Sequence, residues 1–287
     1  KAGLRPGIWA WPGNAAPIDG RRRTRWVPYS PEISSLERAD QVADWLTEPA
    51  ATRPHLAALY FERVDNVGHD KGPDAPETLA AIREVDAAVG RIMQALDARG
   101  LRTSTDIVVV SDHGMAPVAP DQYIALEDMA AFEQAEAVST GQVVGFNPRP
   151  GHEAAAGHRL LGRHDHYQCW RKQDLPARWH YGRHPRVPAI VCQFDEGWNA
   201  LPAEQLQRVP KDRLNRGSHG YDNTLPSMRA VFVAAGPSFR RGATLPAFDN
   251  VDVYPLLATL LGLAPARNDG TAATFAPVLA PRADMPH

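Results

Sequence analysis

The sequence predicts an α/β fold in which a mostly parallel sheet is flanked by helices. The apolar run at 55–61 is typical of a buried strand, and the four β-branched residues at 107–110 are typical of another. Between them, apolar residues recur every three or four positions from Pro76 to Leu96, which indicates a long helix. This order is that of a βαβ unit, so we expect the two strands to be parallel and to end at the same edge of the sheet.

The other elements follow from the same patterns. Apolar residues share one face over 35–46, which predicts a helix, and Arg99-Gly100 gives the long helix a basic residue and then a glycine at its end. Residues 1–35 and 195–216 show no clear period and are expected to form loops. We also expect helices over 127–137 and 252–261, and strands over 142–146, 188–194 and 229–235.

Composition limits the possible functions. Apolar residues make up 44% of the 287 positions and the formal net charge is −2, so nothing favours capture of a nucleic-acid polymer. No segment approaches the roughly 18 apolar residues of a membrane span. No repeat or linker marks a boundary, so we expect one domain over 1–287 with an insertion at about 147–187. Cys169 and Cys192 could form a disulfide or remain two buried thiols.

Side chains that can bind a metal ion follow both strands of the predicted βαβ unit. After the second strand, Asp112 offers a hard oxygen, His113 offers a nitrogen, and Gly114 lets the backbone turn behind them. After the first strand come Asp65 and His69, on what we expect to be a loop. Because ligands bind at the carboxyl ends of strands in open α/β sheets, we expect these residues at one site.

A further candidate ligand, His219, lies in the polar stretch 217–223. Mixed Asp and His ligation is typical of zinc and related divalent ions. Asp65, His69, Asp112, His113 and His219 together exceed the needs of one tetrahedral site, so two metal ions are the simpler hypothesis. Each motif alone is weak, because Asp-x-x-x-His is often a helix cap with a surface imidazole. Among the histidines of the predicted insertion, His164 and His166 are the candidates for lining a pocket.

Three segments carry a family resemblance: Tyr60-Phe-Glu-Arg-Val-Asp-Asn-Val-Gly-His-Asp-Lys-Gly-Pro73, Val108-Val-Val-Ser-Asp-His-Gly-Met115 and His219-Gly-Tyr-Asp-Asn223. They resemble the nucleotide pyrophosphatase/phosphodiesterase family of the alkaline phosphatase superfamily, and the resemblance runs from about Trp9 to Thr271. It implies an alkaline-phosphatase-like fold with two zinc ions. It also implies the division of ligands: Asp65, His69 and His219 on one zinc, Asp112 and His113 on the other.

The resemblance extends to other residues. Tyr29 and Tyr60 fall where the family places aromatic rings that stack on a nucleobase, although for Tyr60 a position in the core is an equal alternative. Asp222 is a candidate partner for the second ring nitrogen of His219. The family's Thr or Ser nucleophile and a further Asp ligand lie upstream of every motif seen here. We therefore expect a chain that lacks its N-terminal strand–nucleophile–helix portion. We name no nucleophile, and we expect little hydrolysis by this chain alone.

The implied activity is zinc-dependent hydrolysis of nucleotide phosphodiester or pyrophosphate bonds through a phospho-enzyme intermediate, carried out by a single catalytic domain. The expected partner is a nucleotide or another small phosphodiester, and a nucleic-acid polymer is not expected. Two alternatives stay open. One is another hydrolase of the superfamily, such as a sulfatase or a phosphonate hydrolase, and the other is a catalytically inactive zinc-binding module. Because the family is usually exported, we expect a periplasmic or extracellular location.

Overall fold

The computed structural model describes residues 3–17, 20 and 25–281. Its α-helices are α1 (Ser35–Leu46), α2 (Arg63–Lys71), α3 (Pro76–Ala98), α4 (Leu126–Met129), α5 (Glu153–Leu160), α6 (Ala203–Arg208) and α7 (Val253–Leu260). Its strands are β1 (Pro6–Trp9), β2 (Arg25–Val27), β3 (Leu56–Leu59), β4 (Ile107–Val110), β5 (Ala116–Pro117), β6 (Tyr123–Ala125), β7 (Ala135–Ala137), β8 (Val143–Pro148), β9 (Gly162–Arg163), β10 (Tyr167–Arg171), β11 (Ile190–Phe194), β12 (Asn199–Leu201), β13 (Gly217–Ser218) and β14 (Phe232–Ala235). The α/β class is confirmed.

The chain divides into two compact units. The first takes residues from Lys1–Val64, Ala80–Asp112 and Ala230–His287, and the second takes Asp65–Leu79 and His113–Arg229. Whether the whole chain acts as one catalytic domain stays a prediction. In the described part of the chain, no helix combines the length and the apolar character needed to cross a membrane.

The first unit is built on a parallel sheet in the order β2-β1-β3 and on an antiparallel pair of β4 with β14. Trp9 is fully buried and packs with Val42 and Trp45 from α1. A capping box fixes the start of α1, because the Ser34 hydroxyl accepts from the Glu37 amide while the Glu37 carboxylate accepts from the Ser34 amide. The predicted bounds of α1 and the glycine ending of α3 are confirmed.

The two strands of the expected βαβ unit are both present, but among the described residues they do not form a ladder with each other. The strand at 55–61 is present as β3 and that at 107–110 as β4, but β3 pairs with β1, and β4 pairs antiparallel with β14. Residues 1–35 were expected to lack regular structure, yet they supply β1 and β2. Periodicity finds a strand but does not identify its partner, and strands of three or four residues are too short to show a period.

The second unit centres on an antiparallel sheet in the order β7-β8-β11-β10-β9. Its apolar side, with Phe146 and Ile190 fully buried, packs with Leu126 and Leu160. Antiparallel pairs are commoner than parallel ones among the described strands, in contrast to the mostly parallel sheet expected from sequence. The 147–187 segment contributes β9 and β10 to this sheet, and its status as an insertion stays a prediction.

Two other segments of the second unit differ from expectation. The region 127–137 holds the short helix α4 and then strand β7, because Ala135 is fully buried where it pairs with Pro148 of β8. The polar stretch 195–216, expected to be a loop, contains β12 and α6. In both places tertiary pairing decides a local structure that the weak sequence period leaves open.

The two cysteines form a disulfide. Cys169 on β10 lies directly opposite Cys192 on β11, and their Cα atoms are 3.9 Å apart. Both side chains are buried in the core of the second unit, at 2% and 0% exposure. The bond therefore ties the central strand β11 of the five-stranded sheet to its neighbour β10.

Candidate metal centre

Helix α2 supplies the first two candidate ligands, Asp65 and His69. Residues four positions apart project from the same face of a helix. Asp65 Oδ1 accordingly lies 3.5 Å from His69 Nε2. The expectation that these residues sit on a loop is wrong: the helix begins at Arg63, within four residues of the end of β3.

A two-strand ladder supplies the other two histidines. Strands β5 and β13 pair antiparallel with Ser218 opposite Ala116, so His113 and His219, which flank this ladder, are brought side by side. Their imidazole rings stack with centroids 3.5 Å apart and planes 10° from parallel. His219 Nε2 lies 3.4 Å and His113 Nε2 lies 3.9 Å from Asp65 Oδ1.

Backbone carbonyl groups orient two of the imidazoles. His69 Nδ1 lies 2.8 Å from the Gly217 carbonyl oxygen, and His113 Nδ1 lies 2.8 Å from that of Gly114. A carbonyl oxygen can only accept, so each Nδ1 carries the proton and donates it, which leaves the lone pair on Nε2. This is the usual arrangement of a metal-binding histidine, whose second nitrogen is held by a carbonyl or carboxylate.

The donor set fits a metal ion. Asp65 Oδ1 is buried and accepts no hydrogen bond from the described residues, although a buried carboxylate oxygen normally has a partner. Ligand atoms about 2.0–2.2 Å from a tetrahedral zinc lie roughly 3.3–3.6 Å from one another. The separations of 3.5 Å to His69 and 3.4 Å to His219 fall in that range. Asp65, His69 and His219 thus form a group that could hold one metal ion.

Glycines let the supporting segments approach closely. A Cβ at Gly217 would overlap the carbonyl oxygen of Gly68 in α2 and come within 3.1 Å of the Met115 side chain. A Cβ at Gly114 would come within 2.8 Å of the Arg229 carbonyl oxygen. Any side chain at 217 would therefore push the strand that precedes His219 away from the helix that carries Asp65 and His69.

The remaining predicted site residues belong to the first unit. Asp112 follows β4 and is exposed. Tyr29 is 49% exposed, and the guanidinium carbon of Arg38 lies 5.8 Å from its ring centroid. Tyr60 is partly buried beside the core of this unit, and its ring meets that of Trp11 edge to face at 6.4 Å. Their roles as metal ligand and as base-stacking rings stay predictions.

Residues 1–222 match the family model of type I phosphodiesterases / nucleotide pyrophosphatases. The chain belongs to this family. It is 30% identical over 271 residues to human ectonucleotide pyrophosphatase/phosphodiesterase family member 5, and 33% identical over 264 residues to the Bos taurus bis(5′-adenosyl)-triphosphatase ENPP4. These alignments cover 94% and 91% of the chain but 55% and 56% of the relatives, so the chain spans about half the length of the curated relatives it matches.

Solved structures agree with this assignment. Murine ectonucleotide pyrophosphatase/phosphodiesterase 5 superposes with a TM-score of 0.89 at 32% identity, covering 97% of this chain and 73% of that protein. An inactive variant of the same murine protein in complex with AMP gives a TM-score of 0.88 at 32% identity, covering 97% of this chain and 72% of that protein. The alkaline-phosphatase-like α/β fold is thereby confirmed.

In this phosphodiesterase-family chain, one residue that no sequence motif indicates contacts the segment that follows His219. Arg178, inside the predicted insertion, binds the carboxylate of Asp222 and the side chain of Asn223. Its only sequence signal is its place in an exposed, basic loop. The role of Asp222 as a partner of His219 stays a prediction. His164 stacks on Tyr167 and its Nε2 lies 2.8 Å from the Leu160 carbonyl oxygen, while His166 stacks on Trp198 at 3.5 Å.

Proposed function

We propose that the protein is a zinc-dependent hydrolase of nucleotide phosphodiester or pyrophosphate bonds. Family membership supports the reaction class. The observation that carries the metal dependence is the buried Oδ1 of Asp65, which accepts no hydrogen bond from the described residues and faces the Nε2 atoms of His69 and His219 at 3.5 and 3.4 Å. A buried carboxylate oxygen facing two imidazole nitrogens is typical of a metal site.

In this proposal Asp65, His69 and His219 hold one zinc ion, and Asp112 and His113 contribute to a second. Bound zinc would supply positive charge that polarises the phosphoryl group and lowers the pKa of a coordinated water. The chain's own contribution is orientation. The carbonyls of Gly217 and Gly114 fix the rings of His69 and His113 so that Nε2 of each faces Asp65. The second zinc and the phospho-enzyme intermediate rest on the family resemblance alone.

We further propose a nucleotide as the substrate. One relative is named as a bis(5′-adenosyl)-triphosphatase, and another has been solved with AMP. Tyr29 offers an exposed aromatic face, and such a face binds any base without reading its edge. A periplasmic or extracellular location is proposed as well, since the disulfide between Cys169 and Cys192 is typical of oxidising compartments.

The test uses the protein as its gene encodes it. Hydrolysis is measured with p-nitrophenyl thymidine 5′-monophosphate, diadenosine triphosphate, p-nitrophenyl sulfate and a phenyl phosphonate ester, before and after treatment with a chelator. We expect turnover of the two nucleotides, loss on chelation and recovery with zinc. The Asp65→Asn variant should lose both zinc and activity. Faster turnover of the sulfate or phosphonate would indicate another hydrolase of the superfamily, and zinc binding without any turnover would indicate an inactive module.

A further inference from the structure

Arg178 forms a fork-shaped contact with the segment that follows His219. Its Nη1 donates to Asp222 Oδ1 at 2.9 Å and to Asn223 Oδ1 at 2.8 Å, and its Nη2 donates to Asp222 Oδ2. A guanidinium that engages both oxygens of a carboxylate fixes direction as well as distance, unlike a single ion pair. Arg178 therefore holds two consecutive side chains, at three and four positions after His219.

The backbone that carries Arg178 is itself well anchored. Ala177–Trp179 form one turn of 3-10 helix, which ends at His180 in the left-handed conformation. Trp179 packs edge to face on Trp170 of β10 with ring centroids 5.2 Å apart. The guanidinium of Arg178 also lies 5.5 Å from the Trp179 ring centroid. Arg178 thus extends from a turn that packs, through Trp179, on strand β10 of the five-stranded sheet.

The segment around His219 is held at several points. Before it, the Ser218 hydroxyl donates to Asn199 Oδ1 at 3.2 Å. After it, Gly220 has a φ of +92°, a conformation that L side chains rarely adopt, and Tyr221 is buried at 4% exposure. Asp222 closes the segment, because its Oδ1 accepts from both the amide and the hydroxyl of Thr224. The carboxylate of Asp222 is therefore the point where the turn and Arg178 meet.

The charges of Arg178 and Asp222 favour a persistent contact between them. The Arg178 guanidinium, with help from the Thr224 hydroxyl and amide, lowers the pKa of Asp222 to about 2, so this carboxylate stays ionised across the physiological range. The same contact raises the pKa of Arg178. A bidentate ion pair that stays charged can restrain the segment continuously. A pair that lost its charge near neutral pH would release it.

We propose that Arg178 is a positioning residue for His219: through Asp222 and Asn223 it holds the His219 segment at the orientation that metal binding needs. This inference rests on the proposed function, in which His219 is a zinc ligand. Loss of Arg178 leaves the Asp222 carboxylate with its local Thr224 contacts only, so the stretch after His219 is less restrained and His219 samples more orientations. The metal then binds a less ordered ligand set, and its affinity falls.

The chain contains a matched control. Arg163 on β9 forms the same kind of fork-shaped pair with Asp195, and its side chain is 54% exposed against 45% for Arg178. Both Nη atoms of Arg163 donate to the Asp195 carboxylate rather than to Asp222 or Asn223. Arg163→Ala therefore removes a comparable surface pair from the same unit without touching the His219 segment.

The experiment compares wild type, Arg178→Ala, Arg178→Lys and Arg163→Ala. Zinc affinity is measured by competition with a chromophoric chelator, amide exchange is measured over residues 217–224 of the metal-free protein, and global stability is measured by urea unfolding. For Arg178→Ala we expect zinc affinity about tenfold weaker, the low end for residues that orient a ligand. Amide exchange over 217–224 should be at least about threefold faster. Arg178→Lys should recover part of both, and Arg163→Ala should match wild type in both.

The outcomes separate this inference from the proposed function. If wild type binds zinc and Arg178→Ala binds it equally well, the inference is wrong and the proposed function stands. If wild type binds no zinc, the proposed function fails and the inference fails with it. Equal weakening in Arg178→Ala and Arg163→Ala would show a general loss of stability rather than positioning, which also overturns the inference.

Discussion

Asp65 Oδ1 and His113 Nε2 lie 3.9 Å apart, although the family resemblance assigns these two residues to different zinc ions. The same oxygen lies 3.5 Å from His69 and 3.4 Å from His219, so one carboxylate oxygen faces three imidazoles. His113 also stacks on His219 at 3.5 Å. The ligands proposed for the two zinc ions therefore form one cluster, as a two-metal site would need.

Zinc stoichiometry should separate the two ligand sets. His113→Ala should lower bound zinc from two ions to one per chain, because it removes a ligand of the second ion and leaves Asp65, His69 and His219 in place. His69→Ala should also lower the content by at least one ion. Elemental analysis of dialysed protein measures this directly, with the exposed helix residue His158→Ala as control. Full retention of zinc by His113→Ala would contradict the assignment.

Close packing at Gly217 gives a prediction about stability. Gly217→Ala should destabilise the protein by about 1–3 kcal/mol and weaken zinc binding, because the new Cβ would overlap the Gly68 carbonyl oxygen. Gly90→Ala in α3 is the control, since a Cβ there meets nothing within 4 Å. That change should stabilise the protein by about 0.5–1 kcal/mol through helix propensity. Urea unfolding compares the two variants. Unchanged stability of Gly217→Ala would show that the close contact between Gly217 and Gly68 does not constrain the site.

The disulfide should contribute strongly to stability. Replacing both Cys169 and Cys192 by Ala should cost about 3 kcal/mol or more, because the bond closes a loop with a sequence separation of 23. Both sulfur-bearing side chains are buried, so a thiol reagent with mild reductant should label them only after unfolding. Mass spectrometry after alkylation of native and urea-treated protein measures how far the two cysteines are labelled. Rapid labelling of the native protein would contradict the burial and pairing.

Base stacking predicts an effect on substrate binding. Tyr29→Ala should raise the KM for a nucleotide substrate by about fivefold or more, since stacking of a base on an aromatic ring contributes about 1–3 kcal/mol. Tyr181→Ala is the control, because Tyr181 is as exposed as Tyr29, at 51% against 49%. Steady-state kinetics on the protein as its gene encodes it gives both values. Equal KM values for wild type and Tyr29→Ala would show that this tyrosine does not contribute to substrate binding.

The sequence predicts the elements of this fold better than their pairing. The helices at 35–46 and from Pro76 are found as predicted, because each is long enough to show a full amphipathic period. The pairing of β4 with β14 joins residues about 125 positions apart, for instance Val110 with Phe232, and no local pattern encodes it.

The candidate site likewise shows that local sequence predicts motif residues better than their tertiary contacts. Asp65, His69, His113 and His219 are recognisable from motif spacing, and the structure brings all four together. The error in placing Asp65 and His69 on a loop has a simple cause: α2 has nine residues and little apolar character, so its period is weak. Arg178 could not be predicted, since its contact with Asp222 depends on how a basic loop folds back over 44 positions.

The pH dependence of stability tests the contact between Arg178 and Asp222. The pKa of Asp222 is lowered to about 2 from the usual 3.8, chiefly by the Arg178 guanidinium, so the folded state favours the ionised carboxylate. This contribution is fully present above the unfolded-state pKa and is lost as pH falls from about 4 towards 2. Asp222→Asn should therefore cost about 1 kcal/mol at pH 6, after allowance for solvent screening, and progressively less at pH 3.

Urea unfolding of wild type, Asp222→Asn, Arg178→Ala and the double variant at both pH values makes the comparison. In the Arg178→Ala background the cost of Asp222→Asn should be smaller at pH 6 and should change less with pH, because the main cause of the lowered pKa has been removed. An equal cost of Asp222→Asn at pH 6 and pH 3 in the wild-type background would show that the negative charge of Asp222 does not contribute to stability. In that case the ion pair with Arg178 would make no net contribution to stability.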